Sequence, residues 1–169
     1  HVKNRYASDS DLNEFVETVH KSLSQMEKLI LAYLSFNKVK NQSLNKEIFN
    51  VQEELDQIVQ GVLNGYGKAD VICQNHQISI HTNRYLFNTI MKNLIENGLK
   101  HNLSEKPVVR VVAEQKPNYT VFLITDNGMG IDDRFAKFLF MPFKRFNTRV
   151  EGTGLGLAVA KRAAHQLEG

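Results

Sequence analysis

Apolar positions in the first forty residues recur at alternating four- and three-residue steps: Leu12, Val16, Val19, Leu23, Met26, Ile30 and Tyr33, ending on polar Asn37. That spacing is the a/d seam of a heptad helix. Phe15, Leu29 and Phe36 widen the stripe beyond what a two-stranded coiled coil uses, to the width of a helix in a four-helix bundle. No glycine or proline precedes Gly61, and Asp9, Ser10 or Asp11 can cap the start. Such a helix needs a partner, from sequence outside this chain or from a second copy. We therefore expect residues 11–40 to be an oligomerisation element.

Asn41 to Asn45 reads as a joint. A second helical pattern follows through Val51, Leu55, Ile58, Val59 and Val62 and ends in the glycines at 61–67. Two short strands are expected at Ala69–Cys73 and Gln77–His81, around the turn residues Gln74, Asn75 and His76. A third helix is expected to begin near Asn83. Beyond Pro107, Val108–Val112 and Tyr119–Thr125 read as a hairpin joined at Gln115–Asn118. Asp132–Leu139 suits a short helix, Lys144–Arg149 a mobile loop, and Thr153–Leu167 a last helix. Interleaved helices and strands with a hairpin predict an α+β fold with helices on one face of the sheet.

The third helix carries the first candidate chemistry. Asn93, Asn97 and Lys100 fall in one sector, at i, i+4 and i+7, while Phe87, Met91, Leu94, Ile95 and Leu99 occupy the other side. Carboxamide oxygens are hard neutral ligands for magnesium, and an ammonium is a point charge for phosphate. A solvated polar face accounts for these residues equally well. Downstream, Asp126-Asn127-Gly128-Met129-Gly130 leaves a strand end, where a carboxylate backed by glycines can hydrogen-bond a flat ligand. Gly152-Thr153-Gly154-Leu155-Gly156 opens the last helix, and backbone amides at a helix start attract anions. It is neither a Walker A loop nor a dinucleotide fingerprint, since no Gly-Lys-Ser/Thr follows and no strand precedes it.

Composition narrows the classes further. A net charge of +3 is spread along 169 residues, without the basic block that nucleic-acid binding requires, so no nucleic-acid partner is expected. One cysteine, Cys73, excludes an internal disulfide and reads as a buried strand residue. No apolar run is long enough to span a bilayer.

Taken together, these stretches resemble a two-component sensor histidine kinase, whose ATP-binding fold is shared with DNA gyrase, the large heat-shock chaperones and mismatch-repair ATPases. Residues 93–101 resemble its N box and 126–130 its first glycine box. Phe140-Met141-Pro142-Phe143 resembles the F box, and 152–156 the second glycine box, all in the family's order. The resemblance implies a two-layer α/β sandwich ATP-binding domain at 46–169, preceded at 1–45 by the second helix of a dimeric four-helix bundle. It implies ATP and Mg2+ as cofactors, with Asn97 as metal ligand supported by Asn93, and Lys100 and His101 at phosphate. Asp126 would take the adenine amino group, with Gly128 and Gly130 admitting the base. Gly152, Thr153, Gly154, Leu155 and Gly156 would close around the phosphates, with Arg145 nearby, while Phe140 and Phe143 anchor the lid by packing.

The implied activity is transfer of the γ-phosphoryl group to a histidine on the dimerisation helix, for relay to a response-regulator receiver domain. The implied assembly is a homodimer through residues 11–40, and the implied location cytoplasmic, with any membrane anchor outside this segment. Hydrolytic relatives carry a glutamate at the first N-box position; Asn93 stands there and cannot act as a base. The chain also departs from the family. His1 is followed by Val2-Lys3-Asn4 and His20 by Lys21-Ser22, so neither shows the acidic neighbour of a phosphoacceptor, and His20 reads as a bundle-flank residue. The family's last strands are also missing, so a partial view of a longer protein is expected. Two other readings follow: a degenerate ATP-binding dimerisation and relay module without autokinase activity, or an ATPase of the gyrase or chaperone type.

Overall fold

The computed structural model describes residues 9–43, 45–74, 77–145 and 152–169 of the chain. The heptad pattern forms one helix, α1 (Asp9–Lys40), of 32 residues and about 48 Å. The capping side chains expected at Asp9, Ser10 or Asp11 lie outside what is described. From Leu12 to Leu34 the apolar stripe is exposed, Phe15 at 66% and Met26 at 60%. Only the C-terminal end is covered, where Val39 is fully buried.

A four-residue strand that periodicity did not reveal follows, β1 (Glu47–Asn50). It leads directly into α2 (Val51–Leu63), because Asn50 Oδ1 accepts the Gln52 and Glu53 amides at 2.8 and 3.1 Å. Next come β2 (Asp70–Gln74) and β3 (Ser79–Thr82). The expected turn residues Asn75 and His76 lie outside the described residues. The two strands do not pair with each other: β3 runs antiparallel to β1, while β2 runs parallel to β4 (Val108–Gln115). The expected hairpin is present, with β4 antiparallel to β5 (Thr120–Asp126) and Val109 opposite Asp126. A short α4 (Asp133–Ala136) and a last helix α5 (Gly156–Gln166) complete the chain. The last helix starts three residues later than Thr153, since Gly154 takes a left-handed φ of 70° that no helix continues.

The third helix, α3 (Arg84–Lys100), is the centre of the domain. Its Asn83 cap accepts the Leu86 amide at 2.9 Å and donates to the Ser43 and Asn45 carbonyls, fastening the joint after α1 to the start of α3. One face, through Phe87, Met91, Ile95 and Leu99, packs with α2 on Val109, Val111 and Ala113 of β4. Phe87 lies between Phe49 and Phe122, with ring centroids 5.4 and 5.3 Å away. A second face, through Tyr85, Leu86 and Ile90, meets α5 and the end of α1 around Val39, Leu155, Val159 and Ala163. Arg162 of α5 stacks 4.3 Å over Phe36, and Gln166 donates to the Lys40 carbonyl. The fold is α+β, helices on one face of a mixed sheet, and the third face of α3 remains for the site. Cys73 is half-buried on β2.

Candidate functional site

That third face carries Asn93, Glu96, Asn97 and Lys100, which form one wall of a cavity of about 540 Å³, a volume that suits a small-molecule ligand. Gly152, Thr153, Gly154 and Gly156 form the facing wall, with Lys144 and Arg145 beside them. Met129, Gly130, Ile131, Phe135 and Leu139 supply an apolar flank. The expected loop at 144–149 is described only at Lys144 and Arg145; residues 146–151 lie outside the described residues.

The two walls approach closely at the glycines. A Cβ on Gly152 would come 3.0 Å from Lys100 Nζ, and one on Gly156 would come 3.0 Å from Asn93 Oδ1. The glycine stretch therefore lies directly on the polar face of α3. Gly154 is also tied to the Phe143 segment: its carbonyl accepts the Phe143 amide at 2.9 Å. Phe143 itself adopts a φ of 63°, uncommon for a bulky residue.

The two carboxamides are in different states. Asn93 Nδ2 donates to the Thr89 carbonyl at 2.7 Å, so its orientation is fixed and Oδ1 faces Gly156. The Asn97 carboxamide has no hydrogen-bond partner among the described residues and lines the cavity. An unpaired hard oxygen beside a lysine fits a magnesium ion shared with ligand phosphates. Among the described residues no cluster of three His, Cys, Asp or Glu exists to hold a metal by protein alone.

Asp126 and Gly128 border this cavity without lining it. Asp126 Oδ1 accepts the Gly128 amide at 2.8 Å, an Asx-type turn. Gly98 lets the strand end approach α3, since a Cβ there would meet Val109 Cγ2 at 2.9 Å and Asp126 Cβ at 3.2 Å. Gly128 in turn faces the His101 carbonyl. The side chain of Leu155 does not line the cavity: it is fully buried in the α1–α3–α5 cluster. Glu96 and the apolar flank were missed by sequence reasoning. Glu96 could have been found, since it stands at i+3 from Asn93 on the same face. The flank residues show no period that separates them from core.

His101 lines the cavity half-buried. Burial lowers its pKa below 6.5, Lys100 and Arg145 lower it further, and Asp126 opposes them. The folded state thus binds fewer protons than the unfolded one. Stability from this group is complete above about pH 6.5 and is lost as pH falls through the lower folded value. We expect proton NMR to place the His101 titration midpoint below 6.5, and His101→Gln to flatten the stability decline between about pH 7 and 5. A midpoint at or above 6.5 contradicts this electrostatic picture.

Among the described residues, no helix is long and apolar enough to cross a membrane. Residues 82–169 match the family described as histidine kinase-, DNA gyrase B-, and HSP90-like ATPase. Cyanobacterial phytochrome A of Nostoc sp. is 30% identical over 157 residues, which cover 91% of this chain and 20% of that protein. The signal transduction histidine-protein kinase AtoS of Escherichia coli is 27% identical over 170 residues, covering 98% and 28%. The chain thus spans 20 to 28% of these relatives' length. Among solved structures, the Acinetobacter baumannii histidine kinase AdeS superposes with a TM-score of 0.68 at 20% identity, covering 89% of this chain and 72% of that one. Full-length ShkA in complex with AMPPNP superposes with a TM-score of 0.71 at 18% identity, covering 90% and 33%. On the matched residues and the shared fold, this chain belongs to the histidine kinase-, DNA gyrase B- and HSP90-like ATPase family, as a histidine kinase ATP-binding domain.

Proposed function

We propose that this chain is the ATP-binding core of a sensor histidine kinase, holding Mg-ATP in the cavity on α3 and passing the γ-phosphoryl group to a histidine of a dimerisation helix. The observation that carries the reading is the meeting of Asn93, Asn97 and Lys100 with Gly152 and Gly156 across that cavity. The AMPPNP held by ShkA supports it.

In this reading Asn97 ligates the metal and Asn93 supports it, while Lys100, His101 and Arg145 face phosphate. Asp126 takes the adenine amino group, and Gly128 and Gly130 admit the base. Gly152, Thr153, Gly154 and Gly156 enclose the phosphates. Magnesium, when bound, neutralises phosphate charge, and the protein contributes mainly positioning and electrostatics. Residues 1–45 act as the dimerisation segment and 46–169 as the catalytic domain, on the cytoplasmic side of a longer sensor. The exposed stripe of α1 supports a homodimer through residues 11–40, since an apolar face of that length calls for a partner. The phosphoryl group would pass on to a response-regulator aspartate.

Glu96 favours a second reading, hydrolysis, because it places a carboxylate in the cavity wall one turn from Asn93. Incubation with γ-labelled ATP and a histidine-bearing dimerisation hairpin supplied in trans separates the readings. We expect acid-labile, alkali-stable label on the hairpin. Steady phosphate release without labelled protein supports hydrolysis instead, and bound ATP with neither product supports a relay module.

A further inference from the structure

The base end and the phosphate end of the proposed nucleotide site stand on different elements: Asp126 at the end of β5, and Asn93, Asn97 and Lys100 on α3. Their spacing must be held by whatever ties that strand end to the C-terminus of α3. Gly98 supplies one close contact. Two asparagines supply a polar connection.

Asn127, immediately after Asp126, is exposed yet extensively bonded. Its Oδ1 accepts the Val108 amide at 2.8 Å and Asn102 Nδ2 at 2.6 Å, and its Nδ2 donates to the Lys106 carbonyl at 3.2 Å. Its backbone amide also donates to the Val108 carbonyl at 3.2 Å. The side-chain oxygen thus stands in for a backbone carbonyl, adding one rung to the β4–β5 ladder beyond the Val109–Asp126 pair. Asn102, two residues past α3, is equally constrained. Its Oδ1 accepts the Ser104 amide and hydroxyl at 3.0 and 2.6 Å, which leaves Nδ2 for Asn127. Its own amide donates to the Leu99 carbonyl at 3.3 Å, so it belongs to the end of α3.

These bonds fix both amide orientations. Flipping Asn127 would set its NH2 against the Val108 N–H and the Asn102 NH2, and flipping Asn102 would set its NH2 against the Ser104 N–H. Only one pairing satisfies both. The Gly128 turn closes the same junction, since a Cβ added there would lie 3.3 Å from the His101 carbonyl and 3.5 Å from Asn102 Cα.

We infer that the Asn102–Asn127 amide pair is a positioning latch that holds Asp126 in register with the polar face of α3, and thereby sets adenine selectivity. The inference rests on the ATP reading of the cavity. Neither asparagine need touch the nucleotide. A loosened latch leaves the phosphate wall of α3 intact, because Asn93, Asn97 and Lys100 are carried by helix packing. What it degrades is the angle at which the Asp126 carboxylate meets the base.

The test measures affinities of wild type, Asn127→Ala, Asn102→Ala and the double variant for ATP, GTP and tripolyphosphate, each with magnesium. Losing this alignment is expected to lower the ATP-to-GTP preference about tenfold, the scale of one well-aligned hydrogen bond to a charged group. Tripolyphosphate affinity is expected to stay within about twofold of wild type, since helix packing alone holds that wall. The double variant should lose no more selectivity than Asn127→Ala, because both act through one bond. If Asn127→Ala does not fold, Asn102→Ala carries the test, since it leaves the bond to Val108 in place. An unchanged ATP-to-GTP ratio in variants of a protein that binds ATP overturns the latch alone. Tripolyphosphate affinity falling in step with ATP also overturns it, by showing a general structural role. Wild-type protein that binds no ATP overturns the nucleotide reading and the latch with it.

Discussion

Asp126→Asn is expected to weaken ATP binding by roughly tenfold to a hundredfold, with the melting temperature almost unchanged. The asymmetry follows from the two carboxylate oxygens. Oδ1 accepts the Gly128 amide and shapes the turn; the asparagine carbonyl can keep that bond. Oδ2, on the Gly98 side, has no hydrogen-bond partner among the described residues and, in the proposed reading, is the acceptor left for an adenine amino group. Asparagine puts an NH2 at that place, so a donor meets a donor. Calorimetric titration alongside thermal unfolding checks both halves. Equal ATP affinity in the variant would remove Asp126 from the site, whereas parallel loss of stability would make its role that of the turn.

The second large effect is expected at Gly154. A Cβ there would come 2.8 Å from the Phe143 carbonyl carbon and 2.9 Å from the Lys144 oxygen, both backbone atoms that cannot turn aside. Its φ of 70° adds about 1–2 kcal/mol for any L side chain. Gly154→Ala should therefore break the bond between the Phe143 amide and the Gly154 carbonyl and displace the cavity wall, lowering ATP affinity tenfold or more. Gly61 of α2 is the control: it lies outside the cavity and a Cβ added there would meet nothing within 4 Å, so Gly61→Ala should leave ATP affinity unchanged. If both variants bind ATP equally, the junction between the Phe143 segment and the glycine stretch does not shape the site.

Long periodic segments made much of this fold legible from sequence. The heptad stripe located α1 to within a few residues, and Asn83 marked the start of α3 because an asparagine before an apolar period is a strong cap. The β4–β5 hairpin was visible from its β-branched runs on either side of a turn. Strand β1 was not, since four residues with only Phe49 buried carry no period, and the strand merges with the α2 cap. The pairing of β2 with β4 across α3 could not be read from their neighbours in the chain either.

At the site, spacing on one helix placed Asn93, Asn97 and Lys100 on a single cavity wall. Within the glycine stretch, side chains serve opposite sides: Gly152 and Gly156 lie against α3, and the Leu155 side chain enters the core. Met129, Ile131, Phe135 and Leu139 were illegible for the opposite reason. Apolar residues gathered from a loop, a short helix and the turn after it share no helical face, and only the folded chain brings them together.

The polar face of α3 and the glycine stretch are expected to hold Mg-ATP together. Titrating ATP into the purified chain by calorimetry, with magnesium and then with a chelator, tests this most directly. The expected result is saturable binding at one site per chain, weakened by the chelator and weakened in Asn97→Ala even with magnesium present. No saturable binding at millimolar ATP, or binding indifferent to both the chelator and Asn97→Ala, would contradict it.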